Sequence, residues 1–202
     1  MVYDIIYIVI NLLIYVGGFM DQLPEGYREI KKVNLQKDKK AALIINIIVL
    51  IIMIPLLILG ILIKPIIAEL DELFLSLLSI LALLVVYVIL HEAVHGIVIF
   101  KYTNKKPKFG YKGLYAFTGS DSYFNKKQYI IIALAPVIFW GIVLLILNLI
   151  LPFYTFWIVY FIQVSNLSGA AGDIYITQVI KKMPSDVLIK DTGVEMTIYS
   201  KQ

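Results

Sequence analysis

The sequence predicts an all-α polytopic membrane protein with four transmembrane helices and a small β-hairpin between the second and the third. Apolar residues make up 60% of the 202-residue chain and charged residues only 16%, whereas soluble domains are typically about 45–50% apolar and about 25% charged. Four apolar stretches are each long enough to cross a bilayer, which takes about 20 residues. Basic residues are concentrated in the segments that such a topology places on one side.

The four predicted spans are residues 41–63, 74–100, 129–151 and 153–180. The first and the third contain no charged residue. The second contains one carboxylate, Glu92, and the fourth contains one, Asp173. Because an ionisable side chain inside a span is costly to insert, both are candidates for function.

Residues 5–19 form a fifth apolar stretch of marginal length, which is a candidate helix at the N-terminus. Met20 is an alternative start, and translation from it would omit this stretch. The chain is therefore divided into an N-terminal apolar segment (1–22), a membrane-embedded domain (23–182) and a cytoplasmic tail (183–202). The absence of cysteine excludes disulfide frameworks and thiolate metal sites.

The distribution of basic residues predicts the orientation in the membrane. Of the 18 lysines and arginines, 17 lie in residues 28–40, 101–127 and 181–201. Four spans place these three segments on one side, and the positive-inside rule assigns that side to the cytoplasm. Topology thus explains the net charge of +4. The lipid bilayer is therefore the expected partner, and nucleic acid is not.

The loop between the second and third spans predicts a hairpin at the cytoplasmic interface. Two runs rich in aromatic residues, 109–111 and 114–117, flank the turn signal Lys112-Gly113. An aromatic belt with lysine anchors is the alternative interpretation. In the third span, Pro136 is predicted to kink the helix, and local widening that admits water is the alternative.

The clearest chemical signal is an HExxH motif in the second span, formed by His91, Glu92 and His95, which include both histidines of the chain. Residues four apart on a helix share a face, so both imidazoles can bind one ion, and zinc favours such nitrogen ligands. Glu92 is placed to act as a general base on a water at the metal. A polar cluster that holds helices together is the structural alternative.

A catalytic zinc usually has three protein ligands and a water. Asp173 is the predicted third ligand because it and the histidines lie at similar depth, roughly 9–15 Å from the cytoplasmic boundary. Asp121 in the hairpin loop is the rival ligand, and helix packing is the alternative role for Asp173. Asn166 lies two turns before Asp173 on the same helix face. Its amide is predicted either to stabilise an oxyanion or to pack helices.

These residues resemble those of small bacterial membrane proteins classed as putative zincin peptidases. The resemblance covers roughly residues 23–182 and rests on the run at 23–30, HEAVHG at 91–96, the hairpin with the run at 123–127, Ala135-Pro136 and Gly172-Asp173. More distantly, the arrangement is similar to the site-2 proteases, in which an Asp from a later helix completes HExxH. That resemblance implies a zinc site of His91, His95 and Asp173, with Glu92 as base and Asn166 as oxyanion helper. Ile174 departs from it, because that family usually has glycine after the aspartate.

The sequence therefore predicts a zinc-dependent membrane metallopeptidase with one Zn²⁺ per chain. It would hydrolyse peptide bonds of a membrane-protein or peptide substrate near the cytoplasmic side of the bacterial cell membrane. The main alternative is a non-enzymatic membrane protein that binds or transports a metal ion, but such a site does not need Glu92. A relative that has lost its activity and a hydrolase of a non-peptide amide are further alternatives.

Overall fold

The computed structural model describes residues 20–35, 37–66, 70–112 and 115–201, so the candidate helix at residues 5–19 lies outside the described chain. The helices are α1 (Lys39–Ile63), α2 (Leu70–Thr103), α3 (Lys126–Ile150), α4 (Phe156–Gly169) and α5 (Ala171–Lys181), with a 3-10 turn at Phe153–Thr155. The strands are β1 (Tyr27–Val33), β2 (Lys108–Lys112), β3 (Tyr115–Gly119), β4 (Phe124–Asn125), β5 (Leu188–Asp191) and β6 (Met196–Lys201).

Within the described chain, three helical segments are long and apolar enough to cross a membrane. They are Lys39–Ile63, Phe74–Thr103 and Lys126–Ile150, which contain nearly all of the first three predicted spans. Polar caps mark where two of these helices begin. Asp38 accepts hydrogen bonds from the first backbone N–H groups of α1, and Asn125 forms a capping box with Gln128 at the start of α3.

The prediction of a fourth continuous transmembrane helix is wrong, because residues 153–180 are divided between the 3-10 turn, α4 and α5. The break lies at Ala170, whose ψ angle of 9° departs from helical geometry. Gly169 and Gly172 flank the break, and glycine is among the least favourable residues inside a helix. The break places Asp173 in the first turn of α5, where the helix dipole favours a carboxylate.

The fold is mostly helical but not all-α, because β1, β6, β5 and β4 form an antiparallel sheet in that order. Residues 188–201, predicted only as part of a tail, supply its two central strands. In the chain, β1 precedes α1, β4 precedes α3 and β5 follows α5. The pairing of β1 with β6, β6 with β5 and β5 with β4 therefore holds those three helix ends on one side of the molecule. The chain therefore returns to that side through α4 and α5.

The strands β2 and β3 pair antiparallel, with Tyr111 opposite Ala116, and pack against α2. The Phe109 ring lies so close to Gly96 that a Cβ atom at position 96 would come within 2.4 Å of it. A larger residue at position 96 would therefore require the Phe109 ring to shift. The largest buried core joins the sheet to α2, α3 and α5 through Val98, Ile99, Phe124, Ile132, Ile176, Ile180, Ile189 and Ile198.

Candidate metal centre

The HExxH helix and the first turn of α5 bring two imidazoles and one carboxylate together. His91 and His95 lie one turn apart on α2, with ring centroids separated by 5.1 Å. The Nε2 atom of His91 lies 3.6 Å from Oδ2 of Asp173, and Nε2 of His95 lies 3.8 Å from Oδ1. Each imidazole thus faces a different oxygen of the same carboxylate.

These distances fit a shared cation better than direct hydrogen bonds. An N–H···O hydrogen bond spans about 2.7–3.2 Å, so both nitrogen–oxygen separations are too long for one. Metal–ligand bonds of about 2.0–2.2 Å in a tetrahedral zinc site separate neighbouring ligand atoms by about 3.4 Å. Two nitrogens and a carboxylate are also a donor set that zinc accepts. The donor types of these three residues therefore suit a zinc ion.

A carboxylate oxygen of Glu92 and one ring nitrogen of each histidine also lie within 4.8 Å of one another. Asp173 is nevertheless the other candidate for a third ligand, because each of its two oxygens faces one imidazole. The hydroxyl of Thr118 in β3 lies 2.7 Å from Oε2 of Glu92 and 3.0 Å from its carbonyl oxygen. The hairpin therefore fixes the carboxylate beside the two imidazoles.

A backbone carbonyl sets the orientation of His95. Its Nδ1 atom lies 2.8 Å from the carbonyl oxygen of Ile132 in α3, and the contact is buried. A carbonyl oxygen can only accept, so Nδ1 must carry the proton. The Nε2 atom of the neutral ring is then the one with a free lone pair, and it faces Asp173.

A chain of three hydrogen bonds sets the same tautomer in His91. Asn166 donates from Nδ2 to the carbonyl oxygen of Val137, which leaves Oδ1 to accept from the Tyr87 hydroxyl at 2.7 Å. The hydroxyl has only one proton, so it must accept from Nδ1 of His91, which lies 2.8 Å away. The Nε2 atom of His91 is therefore also free for a metal.

Asn166 thus connects through Tyr87 to the Nδ1 side of His91, away from the Nε2 atom that faces Asp173. Its side chain is fully buried, and its Oδ1 and Nδ2 atoms bond to Tyr87 and Val137. This placement favours the packing role over the predicted oxyanion role.

The rival ligand Asp121 lies apart from the cluster, since it is exposed and forms an ion pair with Lys108. That lysine holds the pKa of Asp121 below its usual range.

A cavity of about 220 Å³ lies beside the cluster. Glu92, His95 and Asp173 line one part of it, and the apolar part is lined by Leu35, Ile99, Ala116, Phe117, Phe124, Ile132 and Ala133. Asp191 of β5 also lines the cavity and accepts hydrogen bonds from the Tyr129 hydroxyl and the Gly193 N–H. Burial raises the pKa of Asp191, and these two hydrogen bonds oppose the shift.

Sequence reasoning did not find Thr118, Tyr87 or Asp191. Tyr87 carries a usable signal, because it precedes His91 by four residues and so lies on the same helix face. Thr118 and Asp191 carry no comparable signal. Each reaches the site only because a strand packs beside α2 or α3.

A comparison with family models matches residues 84–188, which contain every residue of the cluster, to a family described as "Putative zincin peptidase". The match confirms the resemblance inferred from the sequence motifs. No curated protein and no solved structure matches the chain.

Proposed function

The chain belongs to the putative zincin peptidase family, and from this premise we propose that it is a zinc-dependent metallopeptidase of the membrane. One observation carries the proposal. The HExxH imidazoles present their free Nε2 atoms to one carboxylate at distances suited to a shared ion. His91, His95 and Asp173 would hold the zinc, which supplies Lewis acidity toward a water and a peptide carbonyl.

In this proposal Glu92 moves the proton. Its carboxylate takes a proton from the attacking water and delivers it to the leaving amine of the cleaved peptide. The Thr118 hydroxyl of the hairpin restrains the Glu92 carboxylate, which lowers the entropy lost when the carboxylate adopts the reactive geometry. Asn166 and Tyr87 act behind the ligands by holding the His91 ring.

The proposed substrate is a membrane protein or peptide that is cleaved near the cytoplasmic side. The paired α4 and α5 would make the return pass, giving four passes and placing the basic segments in the cytoplasm. A helical substrate must unwind locally, because its peptide carbonyls are already hydrogen-bonded. Ala116, Phe117 and Thr118 of β3 line the cavity, so an unwound segment could pair with this strand and insert one apolar side chain.

Metal removal tests the proposal directly. We expect the purified protein in lipid nanodiscs to hold about one zinc per chain and to cleave co-expressed membrane peptides. Chelation should abolish cleavage, and added zinc should restore it. Zinc would be measured by mass spectrometry of the metal, and the cleavage sites by mass spectrometry of the products. An apolar residue beside the cleaved bond is expected from the cavity lining.

Three outcomes would contradict this proposal. A chain that binds no zinc lacks the proposed metal site. Cleavage that persists without metal would exclude the proposed chemistry. Stoichiometric zinc without cleavage of any membrane peptide would favour the alternative of a non-enzymatic metal-binding or transport protein.

Replacing Thr118 by Val is expected to lower kcat by about 10-fold and to leave zinc content unchanged. The substitution keeps the shape of the side chain but removes one hydrogen bond to a charged carboxylate. Steady-state kinetics and zinc analysis provide the measurement. Thr197→Val is the matched control, because Thr197 is a buried threonine of β6. Equal kinetics in the two variants would show that Thr118 does not position Glu92.

A further inference from the structure

Pro136 lies inside α3, ten residues after the helix begins. In an α-helix, the carbonyl of residue i accepts a hydrogen bond from the N–H of residue i+4. Proline has no N–H. The carbonyl of Ile132, four residues earlier, therefore lacks its normal helical donor.

That same carbonyl oxygen accepts the hydrogen bond from Nδ1 of His95. We propose that Pro136 is a positioning residue whose missing N–H frees the Ile132 carbonyl to hold His95, and so directs Nε2 toward the metal. The proposal deepens the proposed function and rests on it, because it assigns His95 as a zinc ligand. It also gives the predicted kink a specific chemical role.

Without the N–H of residue 136, the Ile132 oxygen has no helical donor that competes with His95. With a non-proline residue at 136, a backbone N–H would lie along the helix axis and share the Ile132 carbonyl with His95, which would weaken the hold of that oxygen on the ring. The pyrrolidine ring also clashes with the carbonyl four residues earlier and displaces it from its regular helical position. The missing donor and this displacement both leave the Ile132 carbonyl oxygen available to the His95 side chain of α2.

The site depends on such orientation, because a ligating imidazole usually donates its second N–H to a fixed acceptor. Both imidazoles are held by backbone carbonyls of α3. His95 donates directly to the carbonyl of Ile132. His91 is connected to the carbonyl of Val137 through the side chains of Tyr87 and Asn166. The carbonyl of Val137 follows the proline, so Pro136 does not remove its helical donor. The proposal therefore predicts an effect on His95 and not on His91.

The test uses the fact that the chain contains only two histidines. Nitrogen-15 labelling of histidine then gives NMR signals from His91 and His95 alone. In metal-free protein in nanodiscs, both rings should show a protonated Nδ1 and an unprotonated Nε2. In P136A, the His95 signals should shift toward the other tautomer while the His91 signals stay in place.

In P136A, the zinc affinity should fall while the thermal stability of the metal-free protein does not. The zinc dissociation constant should rise about 10–100-fold, as for loss of a partner behind a metal ligand. The Tm of the metal-free protein should be unchanged or higher, because a helical hydrogen bond is restored. P55A is the matched control, since Pro55 lies inside α1 and is exposed. It should change neither the histidine signals nor the zinc affinity.

A second variant separates the missing N–H from the proline ring. The ester analogue of alanine at position 136, installed by nonsense suppression, also lacks the N–H and should retain the wild-type His95 tautomer. It keeps the test decisive even if P136A does not fold. If the wild-type protein binds zinc, two results would overturn the inference. One is a P136A variant whose His95 signals and zinc affinity equal those of the wild type. The other is an ester variant whose His95 ring has the altered tautomer. Wild-type protein that binds no zinc would instead overturn the proposed function.

Discussion

Replacing Glu92 by Gln is expected to reduce kcat for peptide cleavage by about 10²–10⁴-fold, the usual contribution of a general acid–base group. Glutamine has nearly the same shape but cannot take a proton from water. Because zinc is assigned to His91, His95 and Asp173, the variant should still contain about one zinc per chain. Cleavage of a co-expressed membrane peptide and zinc analysis of the same preparation provide the two measurements.

The matched control for this variant is Glu25→Gln, which makes the same change at an exposed carboxylate before β1. It should retain full activity and full zinc content. Loss of zinc in Glu92→Gln would instead identify Glu92 as a ligand, which its proximity to both imidazoles also permits. Wild-type cleavage rates in Glu92→Gln would remove Glu92 from the mechanism.

Replacing Asp173 by Ala is expected to raise the zinc dissociation constant by more than about 100-fold. Loss of a residue that only supports a metal ligand typically weakens binding by about 10–100-fold, and here a ligand itself is removed. The carboxylate faces both Nε2 atoms, so the substitution removes the assigned oxygen ligand. Cleavage should fall below detection at low zinc concentration. Isothermal titration of metal-free protein with zinc measures the affinity directly.

Asp121→Ala is the control that decides between the two aspartates. Asp121 is exposed and pairs with Lys108, so its removal should leave the zinc dissociation constant unchanged. The opposite pattern, with weak binding in Asp121→Ala and normal binding in Asp173→Ala, would move the third ligand to the hairpin loop. Circular dichroism of both variants would show whether the helices are retained.

Local patterns were sufficient to predict the first three long helices, whereas in the loop at residues 101–128 they left a hairpin and an aromatic belt as alternatives. Unbroken apolar runs are continuous in the chain, so they are visible without tertiary information. The sheet is different, because β1 pairs with β6 across most of the chain and β4 has only two residues. The break at Ala170 also escaped prediction, since small apolar residues continue the hydropathy of the span on both sides.

Sequence patterns alone point to the residues of the candidate site. The spacing of His91 and His95 places two imidazoles on one helix face, and the lone carboxylate of the last apolar stretch is the one that faces them. These conclusions depend on helical periodicity and on the cost of charge among apolar residues, both of which are properties of local sequence.

The orientation of the candidate site residues comes from the tertiary structure. It separated Asp173 from Asp121, placed Asn166 behind His91 and brought Thr118 to Glu92. Hydrogen bonds between different helices and strands depend on distance and angle in space, and sequence spacing does not encode them. Pro136 shows both levels. Its missing N–H is evident in the sequence, but only the packing of α2 against α3 supplies His95 as the donor that uses the freed carbonyl.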